Sequence, residues 1–224
     1  MLASLLLLAA QGDLVDVALD PGHSRADVGA SATGLREYRL TLDLAQRARA
    51  RLEAAGRSVR LTREDDQPLT LLASPGATES IRLEQEARIA AAMPARIYVS
   101  LHFNGGPPAL RGTETYFNPD RGTDDRVLAE ALQRNVIAAL ALASGYQPVD
   151  RGVRSDLLAG KPYGHFFSLR GPVPSALIEH LFLSNPTEAT LLREEATLEA
   201  LADGCAQGIL EYLAGLGEGV PSSP

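Results

Sequence analysis

Cysteine and basic residues are scarce in this sequence. It has one cysteine, Cys205, so an internal disulfide is excluded. That residue lies in an alanine-rich stretch of helical character, where a small buried thiol is the expected role. Lysine and arginine total 21 against 28 aspartates and glutamates, which gives a formal net charge of −7. Because proteins that bind polyanions need a basic face, this balance argues against nucleic acid as a partner.

Long apolar runs are also missing, since nothing after the first residues approaches the roughly 20 apolar residues that a bilayer-spanning helix needs. We therefore expect no integral membrane segment. The opening MLASLLLLAA resembles the apolar core of a signal peptide without its positive flank. We interpret residues 1–12 as the remnant of an export signal, which predicts an exported chain in the periplasm or cell envelope. The alternative is a segment packed on the body of the domain.

Hydrophobic periodicity predicts alternating strands and helices. Leu40, Leu44, Ala48 and Leu52, for example, recur every four residues, as on one face of a helix. The patterns indicate strands over residues 14–20, 58–62, 97–101, 112–117 and 175–182, and helices over residues 37–55, 79–93, 124–144 and 198–213. We predict one monomeric α/β domain whose central mixed or largely parallel sheet carries helices on both faces, with a flexible tail at residues 216–224.

Two histidines follow predicted strand ends, at His23 and His102. Ligands gather beyond the carboxyl ends of strands in open α/β sheets, so both side chains are expected at one crevice. Glu37, at a predicted helix start, is the natural third ligand. A set of two histidines and one glutamate leaves a fourth position for water, which is typical of catalytic zinc. Three ligands scattered along a chain form no compact motif, so without further context their spacing is weak evidence for a zinc site.

Ordered motifs supply that context. They are Asp20-Pro-Gly-His23, Gly34-Leu-Arg-Glu37, Leu61-Thr-Arg63, Val99-Ser-Leu-His102-Phe-Asn104, Asp150-Arg-Gly-Val153 and Ala176-Leu-Ile-Glu179-His-Leu-Phe-Leu-Ser-Asn185. In this order they resemble the zinc-dependent N-acetylmuramoyl-L-alanine amidase family, the amidase type 3 domain, over nearly the whole chain.

The resemblance implies that His23, Glu37 and His102 bind one Zn²⁺ per chain and that Glu179 is the catalytic carboxylate. It also implies that residues 13–215 form a catalytic domain that acts on peptidoglycan, where it cleaves the amide between N-acetylmuramic acid and L-alanine. The sequence around Glu179 supports a functional role, because an ionisable side chain within an apolar run needs a partner or a function. The alternative is a solvent-facing strand residue.

The sequence departs from the family pattern at a few places. Ser24-Arg25 follows His23 where Gly-Gly is common, and Ala91 stands where Asn is frequent. His180 replaces the small residue that usually follows the catalytic glutamate. Because successive strand residues point to opposite faces, we interpret His180 as a packed or surface residue and not a ligand.

Three further residues are candidates for substrate contact: Arg63, Asn104 and His165. Arg63 either holds a substrate carboxylate or pairs with Asp65 or Asp66 at the surface. His165 either reaches over the cleft toward substrate or metal, or packs between Tyr163 and Phe167.

Two other functions stay open at this point. One is a zinc peptidase or deacylase that acts on another amide, and the other is a silent peptidoglycan-binding domain. Some members of the family bury the zinc site under an inserted inhibitory helix. Between His102 and Glu179 we find a strand, one long helix and the loop at residues 161–165, so we expect no such helix and no need for an activator.

Overall fold

The structure, a computed structural model, describes residues 12–70 and 77–218. Its strands are β1 (Val15–Pro21), β2 (Ser31–Ala32), β3 (Leu35–Arg36), β4 (Val59–Leu61), β5 (Ala95–Asn104), β6 (Thr113–Phe117), β7 (Asp150–Ser155) and β8 (Ser175–Phe182). Its α-helices are α1 (Glu37–Ala54), α2 (Thr78–Ala92), α3 (Thr123–Ser144), α4 (Pro186–Leu191) and α5 (Glu195–Glu218). Short 3₁₀ turns lie at Pro119–Arg121, Asp156–Ala159 and Phe167–Leu169.

Six strands form the main sheet, in the order β4-β1-β5-β8-β6-β7. The pairs β1–β4, β1–β5, β5–β8 and β6–β7 are parallel, whereas β6 and β8 are antiparallel. The predicted mixed α/β sheet is therefore confirmed. β2 and β3 form a separate antiparallel hairpin next to the start of α1.

The two faces of the sheet are covered differently. Helices α1, α3 and α5 cover one face, where alternate strand residues such as Val17, Val99 and Ile178 enter the main apolar core. Helix α2 and the 3₁₀ turn Phe167–Leu169 cover part of the other face. Since side chains alternate along a strand, His102 and Glu179 lie on this second face, which is less completely covered.

Several predicted bounds need correction. β5 continues to Asn104, so His102 lies within a strand and does not follow its end. The polar edge strand β7 and the hairpin β2–β3 were not predicted as strands. Helix α5 begins earlier than residue 198 and continues to Glu218, so residues 216–218 are helical. Residues 1–11 and 219–224, which contain most of the predicted export remnant and tail, lie outside the described residues.

Within the described part of the chain, α3 alone is long and apolar enough to cross a membrane by length and composition. Its apolar side chains Leu128, Leu132, Val136 and Leu140 are fully buried, and the helix packs against α5 and the sheet. This packing is that of a core helix.

Candidate active site

The three predicted metal ligands lie together. His23, Glu37 and His102 each offer one ligand atom, and these atoms all lie within 4.8 Å of one another. Glu37 Oε1 is 3.4 Å from His23 Nε2 and 2.9 Å from His102 Nδ1. The two imidazole rings meet edge to face, with centroids 4.9 Å apart. The geometry is that of a compact His/Glu/His donor set of the kind that binds catalytic zinc.

Glu37 is fixed by the backbone around it. As the first residue of α1 it stands where the helix dipole favours a negative charge. Its Oε2 accepts a hydrogen bond from the Ala30 amide at 2.6 Å, and its Oε1 accepts one from the Phe103 amide at 3.1 Å. Burial alone would raise the pKa of Glu37, but the charge of His23 and hydrogen bonds with both histidines hold it below its ordinary value. The side chain is therefore an oriented carboxylate.

The turn that carries His23 has an unusual backbone. His23 has φ +61°, in the left-handed region that non-glycine residues rarely adopt. Two buried arginines bind the carbonyls of this turn. Arg63 donates to the oxygens of Pro21 and Gly22, and Arg88 donates to those of Pro21 and His23. These contacts hold the strained turn in place.

Arg88 is itself held by carboxylates at full burial. It is bonded to Asp20 at 3.1 Å and to Glu84 at 3.0 Å. Asp20 also accepts hydrogen bonds from Thr62 and Ser100. Because each charged group in this network has charged or hydrogen-bonding partners, the network links β1, α2 and β5 to the His23 turn.

Two glycines leave room for the ligands. A Cβ at Gly22 would lie less than 3.0 Å from three ring atoms of His102. A Cβ at Gly29, where φ is +65°, would press on both Glu37 and His23. The donor set is thus enclosed at two points by bare backbone, and any larger residue there would displace a ligand.

Asp27 lies behind His23. Its Oδ2 is 3.1 Å from His23 Nδ1, which leaves Nε2 turned toward Glu37. Metal-binding histidines commonly make this kind of bond to a carboxylate through the ring nitrogen that does not bind the metal. Burial lowers the pKa of His23, but Glu37 and Asp27 outweigh it and raise the pKa to about 10. The carboxylates around this histidine therefore attract positive charge to the site.

Glu179 faces the same space from the neighbouring strand. It is paired with His102 in the parallel register of β5 and β8. Although part of the residue reaches solvent, its Oε2 is buried and has no hydrogen-bond partner among the described residues. Burial, and next the charge of Glu37, raise the pKa of Glu179 well above its ordinary value. A buried carboxylate without a partner is costly, and the cost points to a ligand or a function.

Glu114 extends this row of charged side chains to β6, where it is paired with Glu179 in the antiparallel register. Its carboxylate binds Arg151 at 3.1 Å and Arg154 at 2.9 Å. Asn104, a predicted substrate contact, donates to it at 3.3 Å. Asn104 thus lies at the edge of the site, bonded to the Glu114 group.

His180 lies on the opposite face of β8, as predicted from the alternation of strand residues. It is fully buried, with Nδ1 2.8 Å from the His102 carbonyl oxygen and Nε2 3.1 Å from Cys205 Sγ. Burial lowers the pKa of His180 to about 4, so the ring is neutral. A neutral ring can donate from Nδ1 to the carbonyl and accept from the thiol.

Arg63 and His165 need correction. The guanidinium of Arg63 is buried and donates to backbone carbonyls, so neither predicted role describes it. His165 does not pack between Tyr163 and Phe167, because those rings stack on each other with centroids 4.4 Å apart. Its ring nitrogens are instead bonded to Asp156 and Asp120, and it does not line the cleft beside the donor set.

The cleft beside His23, His102 and Glu179 has a volume of about 200 Å³. Its other walls come from Ile81 and Gln85 of α2, from Leu177, and from the segment at residues 161–168. The sequence profile of the N-acetylmuramoyl-L-alanine amidase family matches residues 17–211, which include the whole site. The chain belongs to this amidase family.

Individual members of the amidase family are also similar to this chain over most of its length. The germination-specific N-acetylmuramoyl-L-alanine amidase of Bacillus subtilis (strain 168) is 30% identical over 206 residues, which cover 89% of this chain and 80% of that protein. The solved catalytic domain of CwlV, an N-acetylmuramoyl-L-alanine amidase from Bacillus (Paenibacillus) polymyxa var. colistinus, is 28% identical with a TM-score of 0.72. It covers 89% of this chain and 98% of that domain.

A further solved structure contains the amidase CwlD from Clostridioides difficile in complex with the GerS lipoprotein. It has a TM-score of 0.73 at 25% identity and covers 90% of this chain and 99% of that one. Membership of the family supports the hydrolysis of peptidoglycan as the activity of this chain.

Sequence reasoning missed Asp27, Arg88 and Glu114. Asp27 lies four residues after His23, and a carboxylate so close to a predicted histidine ligand is a usable signal. Arg88 gave no signal, because its helix exposes many charges and only the fold shows which one is buried. Glu114 alternates with threonines in β6, and only the register with β8 places it beside Glu179.

Proposed function

We propose that this chain is a zinc-dependent amidase that hydrolyses the bond between N-acetylmuramic acid and the first L-alanine of the stem peptide. His23, Glu37 and His102 would hold the zinc, and Glu179 would move the proton. The observation that carries the proposal is the compact His/Glu/His donor set beside a buried, unpartnered Glu179 oxygen, in a chain of this family.

The residues present fit a divalent metal. Two imidazoles and one carboxylate form a set that zinc prefers, and it leaves a fourth position open. The charge of Glu37 helps to raise the pKa of Glu179, and a cation between the two carboxylates would offset their mutual repulsion. Asp27 orients His23 from behind, and Gly22 and Gly29 leave the space free of side chains.

Bound zinc would supply Lewis acidity, which lowers the pKa of a water molecule to about 7 and polarises a carbonyl. Glu179 would accept the proton of the attacking water. It would then deliver that proton to the nitrogen of the departing alanine. The same carboxylate would thus act first as base and then as acid. The products are a glycan with a free lactoyl acid and a peptide with a free amino terminus.

We place the enzyme in the cell envelope, because peptidoglycan is an extracytoplasmic polymer. The interpretation of residues 1–12 as an export remnant fits this location. We further propose that residues 13–215 form the catalytic unit and that it acts as a monomer.

Mass spectrometry of the products tests the proposal. Purified protein with zinc is incubated with sacculi and separately with a synthetic muramoyl peptide. The proposal predicts release of peptides that begin with free L-alanine. Cleavage between amino acids would instead indicate a peptidase, and retention on sacculi without any product would indicate a silent binding domain.

A further inference from the structure

The cleft contains the one lysine of the sequence. Lys161 is the single lysine among 21 basic residues, and the other 20 are arginines. It lines the cleft together with His23, His102 and Glu179. Its ammonium group is also close enough to Glu179 to oppose the effects of burial and Glu37 on the pKa of that residue. The positively charged side chain of Lys161 therefore lies beside the candidate active site.

Lys161 has no carboxylate partner in the part of the chain that the structure describes. Its ammonium lies over the ring of Phe166, 5.9 Å from the ring centroid. A contact with an aromatic face leaves the N–H donors of an ammonium free for another acceptor. Elsewhere in the cleft region, Arg151 and Arg154 are both bound to Glu114, and neither lines the cleft beside the donor set.

The segment around Lys161 is braced. Phe166 donates its backbone N–H to the buried carboxylate of Asp156, at 2.9 Å. Arg170 lies over the ring of Phe167 at 4.4 Å and donates to the carbonyl oxygens of Tyr163 and His165. The rings of Tyr163 and Phe167 stack on each other and join the two ends of the segment.

Less conformational entropy is lost when a ligand meets a segment that is already ordered. The backbone that carries Lys161 is therefore already ordered next to the cleft, unlike that of a lysine on a flexible loop.

Resting on the proposed function, we propose that Lys161 determines specificity by binding a free carboxylate of the stem peptide, next to the scissile amide. The residue that follows L-alanine in the stem is of the glutamate type, and its α-carboxyl group is either free or amidated. Lys161 would favour the free acid, because its ammonium gains a charge-assisted hydrogen bond only from that form. It would act on substrate choice and leave the proton transfer to Glu179.

Two substrates that differ in this one group provide the test. One is a muramoyl dipeptide with a free α-carboxylate on its second residue, and the other is the same compound with that group amidated. The ratio of their kcat/KM values is measured for the wild type, Lys161→Met, Lys161→Arg and Arg126→Met. Arg126 is an exposed α3 residue bound to Glu130 and outside the cleft lining, so its variant controls for the loss of one positive charge.

We expect the wild type to prefer the free acid by about 2–5-fold, the size of a partly exposed ion pair. Lys161→Met should bring the ratio close to one, whereas Lys161→Arg and Arg126→Met should keep a preference. Raising the salt concentration should reduce the ratio in the wild type and leave it unchanged in Lys161→Met. Titration of both ligands into Glu179→Gln protein, with and without Lys161→Met, should show the same difference in binding.

Two results would overturn the inference while the proposed function stands. One is an undiminished preference in Lys161→Met. The other is an equal loss of activity on both substrates, which would mean that Lys161 contacts a part they share. A wild type that releases no alanine-terminated peptide from either compound would overturn the proposed function and the inference with it.

Discussion

Glu179 lies opposite His102 in the register of two adjacent parallel strands, β5 and β8. Because paired residues project from the same face of a sheet, this register places the proposed proton carrier beside a proposed metal ligand. The other two ligands come from the turn after β1 and from the first residue of α1. Two paired strands thus set the distance between one proposed metal ligand and the proposed base, while a turn and a helix start supply the other two proposed ligands.

Removing either histidine should remove the metal. We expect purified protein to contain about one zinc per chain, since three residues form a complete protein donor set. His23→Ala and His102→Ala should each lose most of it, as measured by metal analysis after extensive dialysis. Full zinc occupancy in both variants would contradict the assignment of these ligands.

A methyl group at residue 22 should have a similar effect without removing any of the three proposed ligands. In Gly22→Ala the new Cβ would meet the His102 ring at less than 3.0 Å, so the ring must move. We expect the affinity for zinc to fall at least about 10-fold, as when a group that orients a ligand is removed. Gly215→Ala is the control, because a Cβ there meets nothing within 4 Å. Equal zinc affinity in Gly22→Ala and Gly215→Ala would contradict this account of the site.

Strongly periodic elements were predictable from the sequence. The helix that begins at Glu37 matches the structure because its apolar residues repeat every four positions. The strand over residues 175–182 matches because it is a short run rich in strand-forming residues that ends at a turn signal. β7 was missed because it is a polar edge strand with no fully buried residue. β5 was ended too early because His102 interrupts an apolar run, although the strand continues through it.

The sequence predicted which residues form the site better than it predicted how they contact one another. The resemblance to the family named His23, Glu37, His102 and Glu179. The structure brings the first three within 4.8 Å of one another and places His23, His102 and Glu179 in the lining of one cleft. The buried position of Arg63 depends on tertiary contacts, since three of the carbonyls that accept its hydrogen bonds belong to residues 25 to 42 positions earlier in the chain. No local sequence pattern contains such contacts.

His180 should make the protein sensitive to acid. Its folded pKa of about 4 lies below the ordinary value of 6.5, so the unfolded chain binds a proton first as the pH falls. The shifted pKa therefore has little effect on the free energy of unfolding at pH 7. That free energy decreases as the pH falls below about 6.5. We expect metal-free wild type to lose on the order of 2 kcal/mol more than His180→Asn between pH 7 and pH 4.5. Urea unfolding at both pH values measures this, and equal losses in the two proteins would contradict it.

The isolated chain should not need an activating protein. Between His102 and Glu179, all of which the structure describes, α3 is the one α-helix, and it packs in the core with α5. From this stretch the cleft is lined by the segment at residues 161–168, which includes part of a 3₁₀ turn, by Leu177 of β8, and by no residue of an α-helix. We therefore expect pure, zinc-loaded protein to solubilise sacculi unaided, followed as loss of turbidity. Inertness that is relieved by adding a second envelope protein would show this to be wrong.

The separation of metal binding from proton transfer at Glu179 tests the account most directly. Glu179→Gln keeps the shape of the side chain and removes its capacity to accept a proton. The measurement is zinc content and turnover of one muramoyl peptide, on the same preparation of wild type and variant. We predict about one zinc per chain in both proteins and a turnover lower by roughly 10²–10⁴-fold in the variant, the range for loss of a general acid–base group. Near-wild-type turnover in Glu179→Gln, or loss of its zinc together with its activity, would contradict the account.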